Sequence, residues 1–274
     1  MHRAPPAIVR ARPHSGRALG HFGIGPMWMV CCLILWAGCG GRAEVSVEQK
    51  FLGAVTAFDR AGTPEDFLRV AGMYQEILDA GFVSGAVYFN QGNAFMRADQ
   101  RGRAIAAYRQ AKRYRPRDPY LDANLRYALG SAPGTAARPF VEYVLFWQDW
   151  ISYPAKFYAA GWSVAATFLL ALAALWLPAP LWRRVVVIAA LVSVLLIGSA
   201  GYDAYRFDFL EHGVVVRDSV TAYKGNAESY EPAFTEPLNQ GTEFRALQQR
   251  GNWWLIRLAG SKEGWVPADA VMVY

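Results

Sequence analysis

The chain has 274 residues, 28 basic and 22 acidic, for a formal net charge of +6, and 54% of it is hydrophobic. Five basic residues (Arg3, Arg10, Arg12, Arg17 and Arg42) precede Glu44, the first acidic residue, so beyond residue 43 the balance is 23 to 22, or +1. The basic excess belongs to the leader and gives no electrostatic footprint for nucleic acid.

Residues 1–43 have the layout of an export signal. Arginines without acids are followed by an apolar stretch, Met27–Ala37, and then by small residues, Gly38, Gly40, Gly41 and Ala43. The stretch is short for a third membrane helix. Gly41-Arg42-Ala43 fits a small-x-small cleavage site. Trp36-Ala37-Gly38-Cys39 resembles a lipobox with Trp in the first place, which leaves lipidation of Cys39 open beside ordinary cleavage. Met27 and Met29 are alternative starts.

Cys31, Cys32 and Cys39 all fall in or beside this leader, so no disulfide is expected in the exported part. His2, His14 and His21 fall there too, which leaves His212 alone. Neither a Cys/His metal cluster nor a Ser-His-Asp or Cys-His site can be assembled from what remains. Glycine-rich phosphate loops are absent, and the acids are scattered singly. No catalytic residue, metal ligand or cofactor is expected.

Residues 45–132 are expected to form an all-α domain. Apolar residues recur at three- and four-residue spacing over Phe51–Phe58, Phe67–Leu78, Ala86–Phe95 and Ala104–Tyr114. Thr63-Pro64-Glu65-Asp66 offers an N-cap, a first-position proline and first-turn acids. Pro116 and Pro119 end the fourth helix. In the 34-residue unit Gly85–Asp118, Tyr88, Gly92, Phe95, Ala104, Tyr108, Ala111 and Pro116 fall on the signature positions of the tetratricopeptide repeat, which this segment resembles. Gly92, Ala104 and Ala111 are small where paired helices approach, and Asp99 replaces the family's loop glycine. Phe51–Ser84 is a degenerate second unit, and Leu121–Leu129 resembles a capping helix. The resemblance implies a peptide groove lined by Phe89, Asn93, Met96 and Arg97. Arg101, Arg103, Arg109, Lys112, Arg113, Arg115 and Arg117 make the later helix basic, as a solvated face or as a site for an acidic partner or anionic lipid.

Residues 139–156 are dense in aromatics, including Phe140, Tyr143, Phe146, Trp147, Trp150 and Tyr153. They read as an interfacial helix leading into the membrane. Two uncharged apolar runs follow, Phe157–Leu177 and Val185–Gly201, and membrane helices are placed at 157–177 and 185–202. Their link, Pro178–Arg184, carries Arg183 and Arg184, which puts the link in the cytoplasm and both flanks outside.

Residues 213–274 switch to β character, with runs at Gly213–Val216, Val220–Tyr223, Glu243–Gln248, Trp253–Leu258 and Gly264–Val266. Gly241-Thr242-Glu243-Phe244, Gly251-Asn252-Trp253-Trp254 and Gly264-Trp265-Val266-Pro267 resemble a bacterial SH3 domain, a small all-β barrel. Trp253 or Trp254 is expected to pack into its core and Trp265 to anchor the last turn. Other aromatics are structural, or form a groove for peptide or cell wall.

The order signal, helical repeat, membrane hairpin, SH3, together with Val87-Tyr88-Phe89-Asn90-Gln91-Gly92-Asn93-Ala94 and Asn124-Leu125, resembles BatE-type proteins of the Bacteroides-aerotolerance operons. The resemblance implies a non-enzymatic adaptor in the inner membrane. Its implied neighbours are von Willebrand A-domain membrane proteins and, indirectly, a MoxR-type ATPase. A tether that binds peptidoglycan and recruits a wall enzyme is the alternative. In a third reading the small barrel packs on the repeat and stabilises it.

Overall fold

The computed structural model describes residues 46–130, 147–176 and 180–274. The expected export signal (1–43), with Cys39, and residues 139–146 of the aromatic segment lie outside these. The chain divides into two compact units between Gln100 and Arg101. That division falls within the stretch 45–132.

The described residues of the first unit form three helices, α1 (46–60), α2 (Pro64–Asp79) and α3 (Gly85–Arg97). Thr63 starts α2 with a full capping box: its side chain accepts the Asp66 N–H, while the Asp66 carboxylate accepts the Thr63 N–H. The N–H groups of Thr63 and Gly62 hold the Asp66 carboxyl below its ordinary range. Ser84 caps α3 through the Val87 N–H at 3.2 Å. Apolar residues at helical spacing converge on one core, in which Phe51 meets Tyr74 edge-on at 5.9 Å and Phe58 meets Phe67 at 5.2 Å. Helix α3 closes with Asp99 in the left-handed region, φ 58°, and the Gln100 N–H returns to the Phe95 carbonyl at 2.9 Å. This is the turn for which glycine is usual, and aspartate is among the residues that tolerate it.

The second unit opens with α4 (Arg101–Tyr114) and α5 (Pro119–Leu129). Asp118 caps α5, accepting the N–H groups of Tyr120 and Leu121 at 2.9 and 3.2 Å. After a short 3₁₀ turn, Gln148–Trp150, come two long apolar helices, α6 (Tyr153–Trp176) and α7 (Pro180–Ala204). Each is long and apolar enough to span a membrane, and most of their large apolar side chains are exposed, as lipid-facing residues are. Two expectations need correcting here. Residues 147–152 form a turn and a single 3₁₀ turn rather than an interfacial helix, and α6 already starts at Tyr153. The link is also shorter than 178–184, because Arg183 and Arg184 lie within the first turns of α7.

The chain ends in a five-stranded antiparallel sheet of β1 (His212–Val215), β2 (Glu243–Arg250), β3 (Trp253–Arg257), β4 (Glu263–Pro267) and β5 (Val271–Val273), in the order β4-β3-β2-β1-β5. Strand β5 falls outside the expected runs. The run Val220–Tyr223 forms only isolated bridges, Val220 with Leu238 and Tyr223 with Pro232 and Trp265. Val215, Phe244, Ala246, Ile256 and Val266 build the core on one face of the sheet. Val214 alternates to the opposite face and is equally buried, because α4 packs against β1 and β5 there. Gly241 enters β2 at φ 91°, a conformation that favours glycine, and sits against the Ile105 side chain of α4.

Candidate functional site

Of the expected groove residues on α3, Phe89 and Asn93 are each only 1% exposed. The expectation that they present an open surface is therefore corrected: they are interior side chains. Met96 is half-buried and Arg97 exposed, with its guanidinium 4.9 Å above the Phe67 ring. Gln91 reaches back to α2, donating to the Ala71 carbonyl at 3.4 Å and to Gln75 Oε1 at 2.9 Å. Asn90, 3% exposed, has no hydrogen-bond partner for either amide atom among the described residues. Of the repeat signature, Gly92, Ala104, Tyr108 and Ala111 are buried, while Tyr88, Phe95 and Pro116 are half-buried.

The basic residues of the later helix are largely engaged within the second unit. Arg109 donates from Nε and an Nη to both oxygens of Glu243 on β2, at 2.6 and 2.8 Å. The Tyr274 hydroxyl donates to the same carboxylate at 3.3 Å. Burial of Arg109 opposes its charge, yet the hydrogen bonds and charge of Glu243 outweigh it and raise the arginine pKa. Burial, with the Glu243 charge beside it, pushes the Tyr274 phenol up. Arg101 side-chain nitrogens cap the end of α5 at the carbonyls of Ala128 and Leu129. Its backbone N–H is in turn taken by Gln240 Oε1 at 3.1 Å, while Gln240 Nε2 donates to the Val216 carbonyl at 3.0 Å. A side chain of the sheet domain thus caps the first turn of α4. Lys112 pairs with Asp122, and Arg115 with Asp118. The Arg113 guanidinium lies 5.1 Å over the ring of Phe207, in the π-helical turn Tyr205–Phe209 that continues α7. Arg109 and Arg113 are four residues apart and share a helix face. One face of α4 therefore touches both the sheet and the base of the apolar hairpin.

At that base lies a polar cluster that the sequence reading missed. Lys156 on α6 and Asp203 on α7, 2% and 3% exposed, form an ion pair, and Lys156 Nζ also donates to Gln148 Oε1. Ser199 donates to that same oxygen at 2.9 Å. Farther along the hairpin, Thr167 and Ser193 share a hydrogen bond of 3.0 Å. The signal was available: the two charges bracket the uncharged runs at matching ends.

On the sheet, Trp254 packs half-buried against the core, Trp253 sets its ring edge-on to Tyr223 at 5.8 Å, and Trp265 is 8% exposed with the Arg250 guanidinium over its ring at 5.4 Å. His212 makes one contact through Nδ1, with the Leu210 carbonyl at 2.8 Å. Among the described residues, no group of three or more His, Cys, Asp or Glu converges as a metal site would require. No protein-family model, curated protein or solved structure matches this chain.

Proposed function

We propose that the protein is a non-enzymatic adaptor held in a bacterial inner membrane, in which α6 and α7 cross the bilayer and both flanking parts lie on the periplasmic side. The first helices and α4–α5 are read as tetratricopeptide repeats, and the sheet as a small SH3-type barrel, in the BatE manner. Arg183 and Arg184, in the first turns of α7, favour a cytoplasmic location for the connection between α6 and α7.

The observation that carries the reading is the shared face of α4. Arg109 ties it to Glu243 of the sheet, and Arg113 ties it to Phe207 at the hairpin base. A membrane anchor and a β module joined through one helix make a brace, which a scaffold needs and a freely tethered catalytic domain does not. The sheet then serves chiefly to stiffen the second unit, and the end of α3, with half-buried Met96 and exposed Arg97, is left to recruit a partner.

The test is affinity purification of tagged full-length protein from gently solubilised native membranes, with partners identified by mass spectrometry. The adaptor reading expects von Willebrand A-domain membrane proteins, lost in a Met96→Ala, Arg97→Ala variant. Recovery of wall enzymes or muropeptides alone, lost in a Trp253→Ala, Trp254→Ala variant, would replace it with the wall-tether reading.

A further inference from the structure

The connection between α4 and α5 frames an open cavity of about 470 Å³, lined by Tyr114, Arg115, Arg117, Asp118, Tyr120 and Ser152 together with two prolines. Its size is that of a small-ligand site, roughly 300–1,000 Å³. Ser152 fixes its level. This residue immediately precedes α6, and its carbonyl accepts the Lys156 N–H at 3.2 Å. The cavity therefore opens where the first apolar helix begins.

The lining has a net positive charge. Asp118 is its single carboxylate, and it is occupied: one oxygen caps α5 and the other pairs with Arg115. Arg117 is exposed at the rim and adds a charge that this pairing does not neutralise. Pro116 and Pro119 fix the backbone on either side of Arg117, so little ordering is needed to present it.

The surroundings decide what kind of anion fits. Trp150 is 59% exposed and Tyr158 71%, and exposed Trp147 and Tyr120 lie at the same end of the hairpin. Tyr and Trp collect at the headgroup level of a bilayer, where one edge of the ring is wet and the other apolar. A soluble acidic peptide would have no use for that apolar belt, whereas a lipid uses both parts.

We propose that this cavity binds the phosphate of an anionic phospholipid headgroup, with the acyl chains lying along α6. Arg117 supplies the attraction, Ser152 and the tyrosines offer hydroxyl donors, and the aromatic belt contacts the glycerol and upper chain. The site would lock the α4–α5 connection onto the membrane surface at the hairpin base. It rests on α6 and α7 being membrane spans.

The experiment uses full-length protein, delipidated in mild detergent and offered phosphatidylglycerol or phosphatidylcholine, with retained lipid counted by native mass spectrometry. Phosphatidylglycerol should be retained about fivefold over phosphatidylcholine, and Arg117→Ala should remove about that factor, as expected for one arginine at a charged surface. Arg117→Glu should reverse the preference. Arg60→Ala, which removes an exposed arginine from α1, should leave it intact. Equal retention of the two lipids, or equal effects of Arg60→Ala and Arg117→Ala, would overturn the proposal. Full displacement of phosphatidylglycerol by inorganic phosphate would assign the cavity to a free anion and overturn the lipid. Alkaline carbonate washing of native membranes tests the spans separately. Wild type and Arg117→Ala should both stay in the pellet, and release of wild type would remove the membrane reading and this one with it.

Discussion

Arg109 and Glu243 stand 134 residues apart in the chain and meet as a bidentate ion pair, Nε to Oε1 at 2.6 Å and an Nη to Oε2 at 2.8 Å. The glutamate is mostly enclosed and the arginine about a third exposed, so the pair lies between the surface and buried regimes. Surface pairs contribute about 0–1 kcal/mol, whereas breaking a buried pair costs about 3–5 kcal/mol. A coupling of about 1–2 kcal/mol is expected from a double-mutant cycle of Arg109→Met and Glu243→Gln, read as thermal unfolding of the solubilised full chain. Additive single effects would mean that α4 and the sheet are not joined through this pair in solution.

Gly102 offers a second test of the same junction. A Cβ built at this position would lie 2.3 Å from the Val215 carbonyl oxygen and 2.9 Å from Val216 Cα. Both are backbone atoms of or beside β1, which cannot swing aside as a flexible side chain would. Helix propensity alone predicts that Gly102→Ala stabilises by about 1 kcal/mol. The contact predicts the opposite, a loss of about 1–3 kcal/mol as α4 is pushed off the sheet. A Tm that rises in Gly102→Ala would exclude the close approach, and the same comparison at exposed Gly72 inside α2, where nothing lies within 4 Å, controls for propensity.

What the sequence made legible, and what it did not, follows from the range of each interaction. Helices α2 to α4 were legible because their causes are local: apolar spacing, Thr63 at the cap of α2 with Pro64 at its first position, and the prolines that follow α4. The Asp118 cap and the first-position Pro119 of α5 were read only as the end of the helix before. Strands β2, β3 and β4 were legible from β-rich runs between turns. Strand β5 was not, because three residues carry too little pattern and its partner β1 lies far upstream. Burial of Asn93 and Phe89 was also illegible: positions on a helix face follow from spacing, but what covers that face does not. The basic residues of α4 read as a solvated face or as a site for an acidic partner or anionic lipid, since nothing local reveals that Glu243 meets Arg109, Asp122 meets Lys112 and Phe207 meets Arg113.

Lys156 and Asp203 allow a sharper test, because a buried pair fails asymmetrically. Lys156→Met preserves the length of the side chain and leaves the Asp203 carboxylate enclosed without its cation. Losing one partner of a buried pair costs about 3–5 kcal/mol, while replacing both with apolar residues is often neutral or stabilising. Lys156→Met alone should therefore unfold early in a denaturing-detergent titration, and Lys156→Met with Asp203→Leu should recover most of the loss. If the single variant resists detergent as well as the double, the pair is solvated in the native protein and does not staple the hairpin.

His212 gives the second unit a pH dependence with a definite sign. Burial lowers its pKa, and the charges of Arg206, Arg245 and Arg109 act in the same direction, against a smaller opposing effect of the hydrogen bond to the Leu210 carbonyl. The folded imidazole therefore stays neutral below the ordinary value of about 6.5, while the unfolded one takes up a proton there. Stability from the neutral ring is complete above about pH 6.5 and is lost as pH falls through that value toward the folded pKa. Unfolding followed by tryptophan fluorescence should show Tm falling from about pH 7.5 to about pH 5.5 in the wild type. His212→Gln, which keeps a donor for the Leu210 carbonyl without a titrating ring, should flatten that slope. An identical slope in the variant would place the responsible group elsewhere and show that His212 is open to solvent.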